Sequence, residues 1–170
     1  MKKLYVPWRS SYAKSVSSTV EKIGSAIECV FCQQFAQTTD DAHFILHRFT
    51  HITAMLNRYP YNAGHILLLP HAHIARLDQL SVEAQHELIA LTSHTVTILE
   101  TVLGSHGTNV GINLGKAAGA GIPSHLHVHV LPRWMGDTNF LPALADTKTI
   151  SFDLKKIYED LKPHFENISF

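Results

Sequence analysis

The longest regular pattern of apolar residues lies in the middle of the chain and predicts a helix. The residues of one stripe recur at alternating steps of four and three: Ala84, Leu88, Leu91, Thr95, Ile98 and Val102. Ser81 precedes this segment as a favourable N-cap, and Gly104 follows it as a favourable helix end. We therefore expect one long helix between Ser81 and Gly104.

Four other segments have the patterns of β-strands. Two of them alternate with a period of two, one is a short apolar run closed by proline, and one contains glycine: residues 43–57, 124–133, 65–70 and 109–114. A last amphipathic helix is expected from about Phe152 to Phe165. Strands, one long helix and strands again predict a single α+β domain built on a mostly antiparallel sheet.

Composition restricts the class of protein. The 170 residues have a mass of 19.0 kDa and are 45% hydrophobic, which is enough for a buried core. Lys and Arg number 14 and so do Asp and Glu, so the chain has no general attraction for nucleic acid or for anionic membranes. Pro7 and Arg9 interrupt any signal-peptide core, and the apolar runs are too short to span a bilayer. We expect a soluble cytoplasmic protein.

The chain contains 13 histidines, and three of them alternate with apolar residues at His125, His127 and His129. In a strand these imidazoles would share one face, while Leu126 and Val128 enter the core. This pattern has three interpretations: an exposed face that happens to carry histidines, a metal site, or a nucleophilic imidazole assisted by its neighbours.

The histidine strand has a specific context. Gly111-Ile-Asn113 and a loop of small residues from Gly115 to Gly121 precede His-Leu-His-Val-His-Val-Leu-Pro-Arg133. Upstream, Asn57-Arg-Tyr-Pro-Tyr-Asn-Ala-Gly-His65 leads into the strand that ends at Pro70. Together these segments resemble the signature of the histidine triad (HIT) superfamily over about residues 28–135.

Further segments narrow the resemblance to bacterial HIT proteins of the diadenosine polyphosphate (Ap4A) phosphorylase or hydrolase type. These are residues 5–9, the Pro-Tyr-Asn turn, the Gly-Ala-Gly loop and residues 133–140. The resemblance implies a HIT-like fold with a five-stranded, mostly antiparallel sheet, one long helix and a C-terminal helix. We divide the chain into an N-terminal arm (1–27), a HIT domain (28–140) and a C-terminal extension with a helix (141–170). The resemblance to the family also implies a homodimer.

Residue roles follow from the same resemblance. His127 would be the nucleophile that takes the nucleotidyl group, and His129 would contact the scissile phosphate and the leaving oxygen. His65 would support the nucleophile from the neighbouring strand. The expected substrate-binding residues are Asn57, Asn113, Gly119, Gly121 and His125. Gly121 stands where many family members carry Gln or Ser, so one donor to phosphate is missing, and phosphorolysis and hydrolysis both stay open.

The two cysteines, Cys29 and Cys32, have the spacing of a zinc knuckle. Alone, the pair is equally typical of buried thiols or of a redox pair. Zinc-containing HIT relatives complete the site with two histidines, which fall here on His73 and His125. The resemblance therefore implies a structural zinc site of Cys29, Cys32, His73 and His125, with His71 the less favoured neighbour.

The sequence is compatible with three functional hypotheses. The first is an enzyme that cleaves dinucleoside polyphosphates or related nucleotides through a nucleotidyl-His127 intermediate, which water or inorganic phosphate then releases. Nucleoside phosphoramidates are an alternative substrate class. The second is a metalloenzyme whose triad binds a catalytic metal. The third is a zinc-containing nucleotide-binding protein with little catalysis.

Overall fold

The computed structural model describes residue 26, residues 28–147 and residues 152–169. The described chain contains four α-helices: α1 (Val30–Phe35), α2 (Val82–Leu103), α3 (Leu141–Ala145) and α4 (Leu154–Glu166). Its strands are β1 (Ile45–Arg48), β2 (Ile52–Leu56), β3 (Ile66–Pro70), β4 (Gly107–Ile112) and β5 (Val128–Arg133). Apart from residue 26, the expected arm of residues 1–27 lies outside the described residues.

The five strands form one antiparallel sheet in the order β1-β2-β3-β5-β4, which confirms the expected fold. Strand β3 lies at the centre and is buried on both faces. Its even-numbered residues Ile66 and Leu68 join the larger core, which α2 and α4 complete. Leu67 and Leu69 join a smaller core on the opposite face, beside Cys29 and Phe31 from the region of α1. The alternation along β3 thus separates the helical layer from the face that carries the histidines.

Helix α2 begins and ends where its caps predict. The side chain of Ser81 accepts a hydrogen bond from the backbone N–H of Ala84, and Gly104 adopts a left-handed conformation with φ of +61°. The buried stripe differs from the expected one near the helix end, because Leu99 is fully buried whereas Ile98 and Val102 are only partly buried. No described helix has both the length and the apolar character needed to cross a bilayer.

The segment 43–57 is not one strand, as its period of two suggests, but the antiparallel pair β1 and β2. The chain reverses between the two strands, where Phe49 N–H donates to the carbonyl oxygen of Ile52 at 2.8 Å. A carboxylate oxygen of Glu87 accepts from the N–H groups of both His51 and Ile52, each at 2.9 Å. A side chain from α2 therefore stabilises this turn, which contains neither glycine nor proline.

The other two strand predictions shift at their ends. Strand β4 covers Gly107–Ile112, because its register with β5 begins where Gly107 lies opposite Arg133. Strand β5 begins only at Val128, because β3 pairs with Val128, His129 and Val130. Before it, Leu126 N–H donates to the carbonyl oxygen of Ile74 at 2.6 Å. Two of the three triad histidines thus precede the regular strand.

Helix α4 confirms the expected C-terminal helix. The carboxylate of Asp153 caps its first turn by accepting from the N–H groups of Lys155 and Lys156. Its buried face consists of Ile157, Tyr158, Leu161 and Phe165. The hydroxyl of Tyr158 also donates to the carbonyl oxygen of Ile45 at 3.0 Å, which joins the helix to β1.

Gly64 packs the turn before β3 tightly against the helical layer. Its φ is +70°, and a Cβ at this position would lie 2.5 Å from Leu103 Cδ1 and 3.3 Å from Pro132 Cγ. Both the conformation and the space therefore favour glycine. This turn leads directly into His65, so its packing helps to place that residue on the face that carries the histidines.

Candidate active site

The three expected catalytic histidines meet on one face of the sheet. His65 immediately precedes β3, and His129 lies on β5 opposite Leu67 of β3. The rings of His65 and His129 have centroids 5.1 Å apart, and those of His127 and His129 are 4.9 Å apart. The sheet register therefore brings together residues that are separated by more than sixty positions in the chain.

The tautomer of His127 follows from its backbone contact. Its Nδ1 lies 2.8 Å from the carbonyl oxygen of His125, which can only accept a hydrogen bond. Nδ1 therefore carries the proton in the neutral ring, and the lone pair resides on Nε2. Burial lowers the pKa of His127, so the ring stays neutral near pH 7. The site thus holds an imidazole in the form required of a nucleophile.

A second set of contacts fixes the tautomer of His65. The backbone N–H of Tyr59 donates to Asn57 Oδ1 at 2.9 Å, which leaves the amide Nδ2 of Asn57 facing His65 Nδ1 at 3.3 Å. The backbone N–H of Tyr61 donates to the same His65 Nδ1 at 3.1 Å. His65 Nδ1 is therefore an acceptor, and the proton of the neutral ring must lie on Nε2.

The tautomer of His65 in turn fixes the tautomer of His129. His65 Nε2 lies 2.9 Å from His129 Nδ1 and donates to it, so the neutral His129 ring carries its own proton on Nε2. Among the described residues, that Nε2 is buried and has no hydrogen-bond partner. Burial lowers the pKa of His65 to about 3 and that of His129 to about 4, which keeps both rings neutral near pH 7. We call the hydrogen-bonded pair of His65 and His129 the proton relay. It presents one buried N–H donor beside His127.

The two cysteines and the two remaining histidines form a separate cluster. Cys29 Sγ lies 3.3 Å from His125 Nδ1, and Cys32 Sγ lies 3.3 Å from His73 Nδ1. All four ligand atoms lie within 4.8 Å of one another. It is the one such group of potential metal ligands found in residue 26, residues 28–147 and residues 152–169.

The orientation of His125 suits metal binding. Its Nε2 lies 3.0 Å from the carbonyl oxygen of Pro70 and donates to it, which leaves the Nδ1 lone pair directed at the sulfurs. Two sulfurs and two imidazole nitrogens at this spacing fit a closed tetrahedral zinc site. Burial raises the pKa of the Cys32 thiol, and the hydrogen bond and charge of the neighbouring Cys29 raise it further.

This geometry disfavours a metal held by the triad itself. His125 directs Nδ1 at the cysteines, whereas His127 Nδ1 and His129 Nδ1 each have a hydrogen-bond partner of their own. The three rings therefore do not direct their lone pairs at one point. The cluster and the triad are adjacent sites that share the residue His125.

The expected phosphate-binding residues lie around the loop between β4 and β5. Asn113 follows β4 and is partly buried, and Gly121 is also partly buried. Gly119 has a φ of +87°, and its N–H donates to the carbonyl oxygen of Lys116 at 3.0 Å. The amide of Gly119 therefore already has an acceptor in this conformation, and it would have to leave that bond to hold a phosphate oxygen.

A polar network at the end of β5 is not predicted from the sequence. Asn62 Nδ2 donates to the carbonyl oxygen of Pro132 at 3.0 Å and to Asp137 Oδ2 at 2.9 Å. Arg133 Nε donates to the same carboxylate oxygen at 2.6 Å, and this ion pair lowers the pKa of Asp137. The network joins the Pro-Tyr-Asn turn to the end of β5. The only local signal for it is the four-residue spacing of Arg133 and Asp137.

The HIT domain model matches residues 37–135, which is more than half of the chain. The chain belongs to the HIT domain family. This HIT protein is 34% identical over 150 residues to the "AP-4-A phosphorylase" of Mycobacterium tuberculosis, and the match covers 88% of this chain and 77% of that protein.

A second relative and a solved structure are also similar to this HIT protein. The "Bis(5'-nucleosyl)-tetraphosphatase [asymmetrical]" of Schizosaccharomyces pombe is 32% identical over 84 residues, which cover 49% of the HIT chain and 46% of that protein. A Zn-bound histidine triad family protein from Mycobacterium smegmatis superposes with a TM-score of 0.67 at 24% identity. That match covers 84% of the HIT chain and 96% of the other, and it shows a common fold.

Proposed function

We propose that this HIT protein cleaves dinucleoside polyphosphates in two displacements, with His127 as the nucleophile. One observation carries the proposal: the buried Nε2 donor of His129 lies in the ring next to an imidazole whose lone pair is on Nε2. Such a pair supplies a nucleophile for phosphorus and a hydrogen-bond donor for the oxygens around it.

In the first step, the lone pair of His127 Nε2 attacks the phosphorus of the transferred nucleotidyl group. A P–N bond forms, the P–O bond to the remaining polyphosphate breaks, and the leaving oxygen keeps the electron pair. The positive charge that develops on the ring lies beside the carbonyl oxygen of His125, which accepts from Nδ1–H. The Nε2–H of His129 donates to the leaving oxygen and stabilises its charge.

In the second step, an oxygen nucleophile attacks the same phosphorus and the P–N bond breaks, which returns the electron pair to His127 Nε2. Inorganic phosphate needs no base, because an anionic oxygen attacks, and the product is a nucleoside diphosphate. Water gives a nucleoside monophosphate and releases a proton. For diadenosine tetraphosphate, phosphorolysis yields ADP and ATP, whereas asymmetrical hydrolysis yields AMP and ATP.

The relatives support this substrate class. The Mycobacterium tuberculosis relative is named for phosphorolysis of Ap4A, and the fission yeast relative is named for asymmetrical cleavage of bis(nucleosyl) tetraphosphates. The phosphorylase name belongs to the relative that matches most of this chain, so we favour inorganic phosphate as the acceptor. Asn113 and the loop from Gly119 to Gly121 are the proposed holders of phosphate oxygens. Asn113 directly follows β4, whose Gly111 pairs with His129, and the loop leads from β4 to the histidines.

The test incubates the purified protein with diadenosine tetraphosphate, with and without inorganic phosphate, and separates the nucleotide products. We expect ADP and ATP in the presence of phosphate and no product in its absence. AMP and ATP formed in water alone would instead identify a hydrolase. The His127→Ala variant should lose turnover, and the matched variant His86→Ala, at an exposed position of α2, should keep it. Appreciable turnover by His127→Ala would overturn the proposal.

We further propose zinc at the cluster of Cys29, Cys32, His73 and His125. Bound zinc supplies cross-linking rather than chemistry, because two sulfurs and two nitrogens complete its coordination. The cluster would hold the N-terminal part of α1 and the segment after β3 against the start of the triad. Metal analysis of the purified protein should find about one zinc per chain, as a closed four-ligand site binds one ion.

We also propose that the protein forms a homodimer through β4. This strand is at the edge of the sheet, and Val110 on it is 49% exposed. Pairing of two β4 strands about a twofold axis would extend the sheet and cover that edge. The Val110→Lys variant should sediment as a monomer, whereas wild type should sediment as a dimer.

A further inference from the structure

Tyr61 covers the pair of histidines that forms the proton relay. Its ring centroid lies 4.8 Å from that of His65 and 5.7 Å from that of His129. The planes of Tyr61 and His129 differ by 23°, which is a stacked arrangement. At the same time Tyr61 is 41% exposed. One part of the ring therefore contacts the catalytic face, and another part is open to a ligand.

The chemistry of the first step indicates which part of the substrate passes this ring. In an in-line displacement the attacking nitrogen and the leaving oxygen lie on opposite sides of phosphorus. With His127 on one side, the leaving polyphosphate is on the side of the His129 donor. Tyr61 stacks on His129, so the leaving half of the substrate departs alongside Tyr61.

We infer that Tyr61 is a specificity-determining residue that stacks on the base of the leaving nucleotide. The inference rests on the proposed function and narrows its substrate class to molecules with a second aromatic base beyond the scissile bond. A base presents a flat π-face, and an exposed tyrosine ring binds such a face without reading its identity. The residue therefore favours dinucleoside polyphosphates over mononucleotides and over phosphoramidates with small leaving groups.

The matched substrates for the test are diadenosine tetraphosphate and adenosine 5'-tetraphosphate. Cleavage of either substrate transfers the same adenylyl group and releases a triphosphate chain. Only the chain released from diadenosine tetraphosphate carries a base. The kcat/KM of each is measured for wild type, for Tyr61→Phe, and for Tyr61→Leu and Tyr61→Met, which lack a ring. Tyr59→Leu is the matched control, because Tyr59 lies in the same turn and is 76% exposed.

Wild type should prefer diadenosine tetraphosphate, and Tyr61→Leu and Tyr61→Met should each lose about tenfold of that preference, which is the usual size of one base–aromatic stack. Tyr61→Phe should keep the preference, and Tyr59→Leu should leave it unchanged. All variants retain the backbone N–H that donates to His65, so the relay stays intact. Thermal unfolding identifies any variant that does not fold, and either non-aromatic variant alone suffices for the comparison.

Equal losses on both substrates would overturn the inference, because the ring would then act only through the histidines. A selective loss in Tyr59→Leu of the same size would also overturn it, because the base would then bind elsewhere on the turn. If wild type cleaved neither substrate, the proposed function itself would fail, and the inference with it. Turnover of both substrates by wild type separates the two failures.

Discussion

His127 Nδ1 donates to the carbonyl oxygen of His125 at 2.8 Å, and the ring of the same His125 directs its Nδ1 at Cys29 and Cys32. One residue therefore belongs to both the candidate metal cluster and the candidate nucleophilic site. Its side chain orients toward the metal ligands, and its main chain sets the tautomer of His127. The position of the cluster consequently bears on the reactivity of the triad.

Loss of one cluster ligand should destabilise the fold and reduce metal content. For Cys32→Ser we expect the amount of bound zinc to fall and Tm to drop by on the order of 10 °C. A structural zinc site contributes several kcal/mol to the free energy of unfolding, and each kcal/mol shifts Tm by a few degrees. Metal analysis and differential scanning fluorimetry measure the two effects. The same two effects are expected for His73→Ala, and His71→Ala is its matched control, since His71 is an exposed neighbour outside the cluster. Full zinc content in Cys32→Ser would contradict the assignment of ligands.

Reversal of the proton relay should slow turnover while leaving the fold intact. In Asn57→Asp a carboxylate replaces the amide that faces His65 Nδ1 and favours a proton on that nitrogen. The neutral His65 ring then accepts at Nε2 from His129 Nδ1–H, and His129 Nε2 loses the proton that it donates. We expect kcat to fall about 100-fold, which is typical for the loss of an acid or a positioned donor. The nitrogen chemical shifts of the imidazoles report the new protonation state. Asn139→Asp is the control, because Asn139 Oδ1 accepts from Leu141 N–H and a carboxylate can replace it. Unchanged kcat in Asn57→Asp would contradict the relay.

Acid should weaken the folded state partly through His65. Burial lowers its pKa from 6.5 to about 3, so the folded protein keeps this ring neutral while the unfolded chain takes up a proton. The contribution of His65 to stability is therefore complete above about pH 6.5 and is lost progressively as the pH falls toward 3. The free energy of unfolding measured from pH 7.5 to 4.5 should fall less steeply in His65→Gln than in wild type or in His86→Gln. Parallel curves for His65→Gln and wild type would show that His65 makes no such contribution.

The glycine before His65 should tolerate no side chain. In Gly64→Ala we expect a loss of about 2–4 kcal/mol in the free energy of unfolding, from left-handed strain and from overpacking against Leu103. Chemical denaturation measures the loss. Gly107→Ala provides the comparison, because an added Cβ there meets nothing within 4 Å. Equal stability of the two variants would mean that the turn adjusts without cost.

Local patterns in the sequence predict much of this fold. The α2 helix has both of its expected caps, Ser81 and Gly104, because helix ends depend on nearby backbone groups. The break between β1 and β2 is not predicted, because Glu87 from a distant helix stabilises the turn. The late start of β5 has a similar cause, since Ile74 binds the backbone of Leu126 before the ladder begins.

Some features of the candidate site can likewise be predicted from the sequence, and others cannot. Cys29, Cys32, His73 and His125 are expected together from the family resemblance, and the structure places their ligand atoms within 4.8 Å. The tautomers of His65 and His127 are not readable from the sequence, because backbone partners in three dimensions set them. The contact of Tyr61 with His129 likewise depends on the pairing of β3 with β5.

The central claim is that His127 forms a covalent bond to the transferred phosphorus, and the stereochemistry at that phosphorus tests it most directly. The substrate is a diadenosine tetraphosphate with a chiral phosphorothioate at the attacked position. Inorganic phosphate is supplied as the acceptor, and the configuration at the α-phosphorus of the released thio-analogue of ADP is determined. Two in-line displacements each invert the phosphorus, so the account predicts net retention of configuration. Net inversion would mean that phosphate attacks the substrate directly and would contradict the account.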